Sequence, residues 1–223
     1  MKDNSRRASA LPESLHHQLN MYALAAGAAG VGVLALAQPA DAKVVYRKTH
    51  LVIAGAESYN LYLNHDKITD FSVVNSFTTS CPDSCFQGLF LKPAAGNSEV
   101  GSVKNFIHYA AAMKAGSEIG PKAHFLAEGA IMREAFSTQT SIGPWNNVKD
   151  RYLGLKFQVK GKAHYGWARL NVTGKGLGTI VATMTGYAYE TVANKTIVAG
   201  KTTDAETSVD QPGMLGALAL GRK

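Results

Sequence analysis

Apolar and polar positions alternate with a period of two in several stretches of this chain, and that period predicts strands. Lys43 to Ile53 (KVVYRKTHLVI) is apolar and β-branched and reads as an opening strand. In Ser58 to Leu63, Tyr59, Leu61 and Leu63 share one face, and Asn60 and Tyr62 the other. Asn64-His65-Asp66-Lys67 is then a turn and Phe71 to Val74 a strand, so the pair is a hairpin candidate. Phe86 to Leu91 is a further strand, and Pro93 to Ser102 reads as a Gly/Ala/Asn loop. Tyr152 to Val159 points Leu153, Leu155, Phe157 and Val159 inward and Gly154, Lys156 and Gln158 outward. Lys160-Gly161-Lys162 turns it into Ala163 to Thr173, and the glycines of Gly174 to Gly178 turn that into a strand within Thr179 to Val192. The three make an antiparallel meander. One segment has a helical period. From Val103 to Ala115, the residues Val103, Phe106, Ile107, Ala110 and Met113 fall on one stripe, with Gly116 placed as a C-cap. The expected fold is therefore mainly β, an antiparallel sandwich or jelly-roll-like single domain with one short helix at about 103–115.

The N-terminus follows a different logic. Lys2, Arg6 and Arg7 precede an uncharged run from Met21 to Leu36, and Pro39-Ala40-Asp41-Ala42 ends it with an Ala-x-Ala site. Residues 1–42 read as a cleavable export signal, because the run is shorter than the about 20 residues a bilayer span needs. The expected division is a signal peptide at 1–42, a β-rich domain at 43–201 and a flexible tail at 202–223. The expected location is extracellular or periplasmic, with no stable membrane span in the mature chain. The signal carries three cationic residues (Lys2, Arg6, Arg7) and three acidic ones (Asp3, Glu13, Asp41), so its removal leaves the formal charge at +7. That surplus is scattered over separate lysines without a run of five, which argues against nucleic acid.

Candidate chemistry is sparse. Cys81 and Cys85 are the two cysteines and, in an oxidising compartment, read as a disulfide that staples a local turn. Gly174-x-Gly176-x-Gly178 is a hairpin turn and not a phosphate loop, since a β-branched strand follows where a helix would be needed. Asn64, Asp66 and Asp70 place oxygen ligands two and four residues apart, as calcium loops do, so calcium is the one cofactor considered. Against it, Tyr62 stands at the first ligand position and Lys67 at the turn glycine. Tyr165, Trp167 and Arg169 share one strand face, and Tyr187 and Tyr189 share a face of the next. Aromatics on an open sheet stack on sugar rings, whereas in a covered sheet they are packing. Arg169 is within reach of Glu190 if the strands pair. Glu128, Glu134, Asp150 and Glu190 are the carboxylates available to a glycosidase pair. There is no Gly-x-Ser-x-Gly elbow and no His-Glu-x-x-His.

Six stretches carry a family resemblance: Pro39 to Tyr46, Tyr62 to Phe71, Ala115 to Pro121, Arg151 to Phe157, His164 to Leu170 and Gly186 to Thr191. With the His-Tyr-Gly-Trp and Gly-Tyr-Ala-Tyr-Glu segments as its most specific parts, the chain resembles a family of uncharacterised secreted bacterial proteins. Some members of that family end in a Pro-Glu-Pro type sorting tail. Here Pro212 to Leu220 matches that tail without its spanning helix, which implies release. The resemblance implies no catalytic residues.

The expected function is that of a secreted, non-enzymatic binding or matrix-associated module, with an extracellular polysaccharide or cell-surface component as partner. Two alternatives stand beside it: a polysaccharide hydrolase using a carboxylate pair, and a structural protein self-assembling through edge strands.

Overall fold

A computed structural model describes residues 43–78, 85–137 and 140–203. They form a mainly β domain, and among them there is no helix. The first strands are β1 (Val44–Ala54), β2 (Ser58–Leu61), β3 (Phe71–Phe77) and β4 (Phe86–Pro93). The middle of the chain gives β5 (Ser98–Lys104), β6 (Ile107–Ala110), β7 (Glu118–Ile119), β8 (Phe125–Leu126), β9 (Ala130–Phe136) and β10 (Ser141–Ile142). Then come β11 (Val148–Val159), β12 (Lys162–Thr173), β13 (Val181–Glu190) and β14 (Ile197–Val198). Twelve strands make one sheet in the order β1-β13-β12-β11-β5-β6-β9-β4-β3-β2, with β10 on β9 and β8 on β5. Every pairing is antiparallel except β6 with β9.

The two ends of this order, β1 and β2, are consecutive in the chain and joined by residues 55–57. The sheet therefore curls until its edges meet at a seam, nearly closing a barrel. Its opposite walls pack one core, in which Leu61, Phe71 and Leu89 meet Leu153, Leu155 and Ala168. The expected meander is present with β11, β12 and β13 in register, and the β2–β3 hairpin pairs Ser58 with Val74 and Leu61 with Phe71.

The strands before and after the meander show why alternation predicts more exposure than exists. Trp167, Tyr165 and Tyr152 point away from the barrel interior, yet Trp167 is fully buried. A small second layer covers them, made of β7 paired with β14 and the segment running to Lys201. It is tied down by Gly116 N–H to Ala199 O at 3.0 Å and Ala199 N–H to Ser117 O at 2.8 Å. Glycines make room for it. A Cβ on Gly154 would lie 2.8 Å from Met113 Sδ, and one on Gly186 2.8 Å from the Tyr46 ring.

The helix expected at 103–115 is absent, and the reason lies at its third and fourth residues. Asn105 and Phe106 take φ of 51° and 63°, the left-handed pair of a two-residue hairpin turn. Lys104 pairs with Ile107 and Val103 with His108, so the stripe read as a helical face is split between β5 and β6. Of that stripe only Ala110 is fully buried; Val103, Phe106 and Ile107 are exposed. Two β-branched residues flanking an Asn outweighed the 3.6 period.

The ends of the barrel are closed differently. At one end, Gln87 Nε2 donates to Asn75 Oδ1 at 2.9 Å, Asn75 Nδ2 donates to Ile180 O at 2.8 Å, and Ile180 N–H donates to Gln87 Oε1 at 2.9 Å. Arg133 adds a bond to Gly174 O at 2.8 Å. At the other, the loop of residues 62–70 folds inward on Asp70, whose Oδ2 accepts the Leu63 N–H at 2.8 Å.

Candidate functional site

The most conspicuous surface feature is the tip of the β5–β6 hairpin. Phe106 is completely exposed there, with Val103 and Ile107 beside it. A bulky residue in the left-handed region costs roughly 1–2 kcal/mol, and an exposed Phe forgoes about 1.5–3 kcal/mol of burial. A Gly at this position would remove both costs. Such outliers persist where they serve a contact.

Clefts lie on both flanks of the tip. The first, about 420 Å³, runs between the hairpin and the β4–β9 wall. Phe90 and Ile131, paired across β4 and β9, contribute apolar floor, and Phe106 and Ile107 the near wall. Its rim carries Lys92, His108 and Glu128, with His108 Nδ1 and Glu128 Oε2 3.9 Å apart. The second, about 530 Å³, is lined by Ser102, Lys104, Asn105 and Tyr109 on the hairpin and by Ile142 to Pro144 opposite. An aromatic projection between apolar floors rimmed by donors and acceptors is a surface for binding.

The aromatic residues singled out on the meander lie elsewhere. Tyr165 and Trp167 lie beneath the second layer, so of the two readings of these aromatics, packing in a covered sheet is the one that holds for them. Trp167 packs edge-on against Tyr152 at 5.2 Å and donates its indole N–H to Lys201 O at 3.2 Å. Phe125 stacks on Tyr165 at 5.8 Å, with the Lys156 ammonium 5.3 Å above Phe125. Tyr187 and Tyr189 point the opposite way, Tyr187 into the main core and Tyr189 against it. Arg169 does not meet Glu190. Register sets it opposite Gly186, and it donates to Thr185 Oγ1 at 2.7 Å. Glu190 is instead buried against Lys195 at 3.3 Å and accepts the Val192 N–H.

The Asn64–Asp70 loop keeps the turn of a calcium loop, but its ligand residues are engaged otherwise. Lys67 takes φ of 68°, the conformation for which glycine is the usual choice. Asn64 Nδ2 donates to Asp66 Oδ2 at 2.9 Å, and Asp66 Oδ1 accepts the Ile68 N–H at 2.8 Å. Asp70 is buried, and Asn97 Nδ2 donates to its carbonyl at 3.0 Å. Burial, opposed by the Leu63 N–H, raises its carboxyl to about 6. The neighbouring Asp66 carboxylate adds to that rise.

The four carboxylates available to a hydrolase are spread over the surface and one strand end. Glu128 faces His108, Glu134 sits half-buried on β9 with its acidity lowered by burial, and Asp150 occupies the β11 bulge. Cys85 directly precedes β4, and its expected partner Cys81 lies outside the described residues, as does the tail beyond residue 203.

Two sites lack a clear sequence signal. Phe106 fits a helix stripe by spacing, although Asn105 between Val103 and Ile107 is a turn signal. Glu99 falls in a Gly/Ala/Asn stretch that reads as a loop, yet it lies in β5, fully buried. No protein-family model, curated protein or solved structure matches this chain.

Proposed function

We propose that this chain is an exported, non-enzymatic binding module that makes its contact through the β5–β6 tip and takes an extracellular glycan there. The observation that carries the reading is Phe106, fully exposed in a strained turn between two clefts. Sugars present an apolar ring face and many hydroxyls, which match an exposed ring beside Lys, His, Glu, Ser and Asn side chains. On a glycan array, Phe106→Ala is expected to abolish the signal of the purified protein while its melting temperature stays the same or rises. An array silent for both proteins, or binding indifferent to Phe106→Ala, would sink the reading.

Export fits the same picture. The first strand starts at Val44, so cleavage after Ala42 removes no described strand. N-terminal sequencing of protein from the exported fraction should start at Lys43. The Cys81–Cys85 disulfide belongs to this proposal, and thiol titration of unfolded, unreduced protein should find none. Self-assembly through edges is less favoured. The β1 edge exposes Arg47, Lys48 and His50 and is interrupted by a bulge between Lys48 and Leu51, two devices that keep edges apart.

A further inference from the structure

A second cluster of recognition chemistry lies at the seam, away from the hairpin tip. Register places Arg47 of β1 opposite Tyr187 and Val45 opposite Tyr189. Antiparallel partners project to the same face, so Arg47 stands on the face from which both tyrosines enter the core. Its charge is felt by both phenols, opposing the rise in pKa that burial causes in each. His65 reaches the same place from the loop after β2. Its ring lies 5.9 Å from that of Tyr187, and its Nε2 is 3.2 Å from the Tyr187 hydroxyl. Tyr189 stands edge-on to Phe157 at 5.6 Å. On β12 the facing residues are Gly166 and Ala168, which leave the space to the rings.

Among the described residues, Arg47 has no acidic partner and the Tyr189 hydroxyl no hydrogen bond. A guanidinium offers two parallel N–H donors, the complement of a carboxylate. The Tyr189 hydroxyl adds a donor, and its half-buried ring accepts a flat or chair-shaped apolar surface. We propose that the seam takes a carboxylate carried on a ring, held by the exposed Arg47 with the Tyr189 hydroxyl as a second donor. A uronic acid unit of an acidic polysaccharide and a free aromatic acid share that chemistry.

Calorimetry of the purified protein at low salt tests it with an oligogalacturonate, with benzoate and with a neutral glucan as control. In the Phe106→Ala protein, where the tip is silenced, at least one acid should bind and the glucan should not. Arg47→Ala should weaken the acid about tenfold or more. Arg47→Lys, which keeps charge and loses the fork, should fall between the two. Response to the oligogalacturonate alone identifies an acidic polysaccharide, and response to benzoate alone a free aromatic acid. Phe106→Ala should leave this binding unchanged, which separates it from the glycan reading of the tip. Absence of binding by both acids, or equal binding by Arg47→Ala, would overturn the proposal. Arg47 is exposed, so neither substitution threatens the fold.

Discussion

Trp167→Ala is expected to destabilise the domain by about 3–5 kcal/mol, the range for removing a buried large aromatic. The side chain is fully buried and packed between Tyr46 at 5.7 Å and Tyr152 at 5.2 Å. Its indole N–H bonds Lys201 O, so truncation also removes that hydrogen bond. The loss should spread outward. Ile119, Ile197 and Ala199 pack in the same cluster, and they hold β7 and β14 over the meander. For a domain this size the melting temperature should drop by roughly 10 °C. Urea titration followed by fluorescence reads the effect directly. Trp145 is the other tryptophan of the chain and is also fully buried, so it remains as reporter in the variant. A variant with an unchanged midpoint would mean that Trp167 is a platform and not part of a core. The same measurement protects the glycan reading, because a protein that loses a ligand with its fold says nothing about the tip.

The meander was legible because Leu153, Leu155 and Phe157 all face one core and Lys156 and Gln158 do not. Period two reports which side of a strand a residue faces, and it reported that correctly. It does not report whether the outer side is wet. Trp167 occupies an outer position on its strand and is buried because a short segment far along the chain, residues 196–201, returns to cover it, while its partner Gly154 lies under Val100 and Met113. No local pattern announces such a return. The strands β7, β8, β10 and β14 have two residues each, too few to show any period. Helix and hairpin were confused at 103–115 for a related reason. Val103, Phe106, Ile107 and Ala110 satisfy a helical stripe by spacing alone, and only the left-handed preference of Asn105 distinguishes the alternatives. The aromatic residues were found and their surroundings were not. Tyr187 and Tyr189 owe their place beside Arg47 and His65 to pairing between β1 and β13 and to closure of the sheet, both long-range facts.

Glu99→Gln is expected to remove a fall in stability of about 3 kcal/mol that the native protein suffers as pH rises from 4.5 to 7. Glu99 pairs across the sheet with Leu155 and Leu126 and faces the apolar core with them. It is fully buried, and neither carboxyl oxygen meets a donor from another residue. Burial raises its carboxyl from an ordinary 4.5 to about 7. Below pH 4.5 the group is protonated folded or unfolded, and stability is intact. Above it, the unfolded chain releases the proton and the folded chain keeps it. The unfolded state then binds fewer protons, and stability declines by up to about 1.4 kcal/mol per pH unit until the folded carboxyl ionises near 7. Asp70 acts in the same direction, from 3.8 to about 6, so its contribution ends earlier. From pH 6 to 7 Glu99 therefore carries the largest share of the decline, beside any part from Glu134, which burial also raises. Urea unfolding of the native protein should show its midpoint still falling across that window, while Glu99→Gln should fall clearly less there. Should both proteins fall in parallel between pH 6 and 7, the buried carboxyl is not the group responsible. Glu99 and Asp70 both pull stability down as pH rises from acid, and Glu99, fully buried beside Leu126 and Leu155, does so over the wider window.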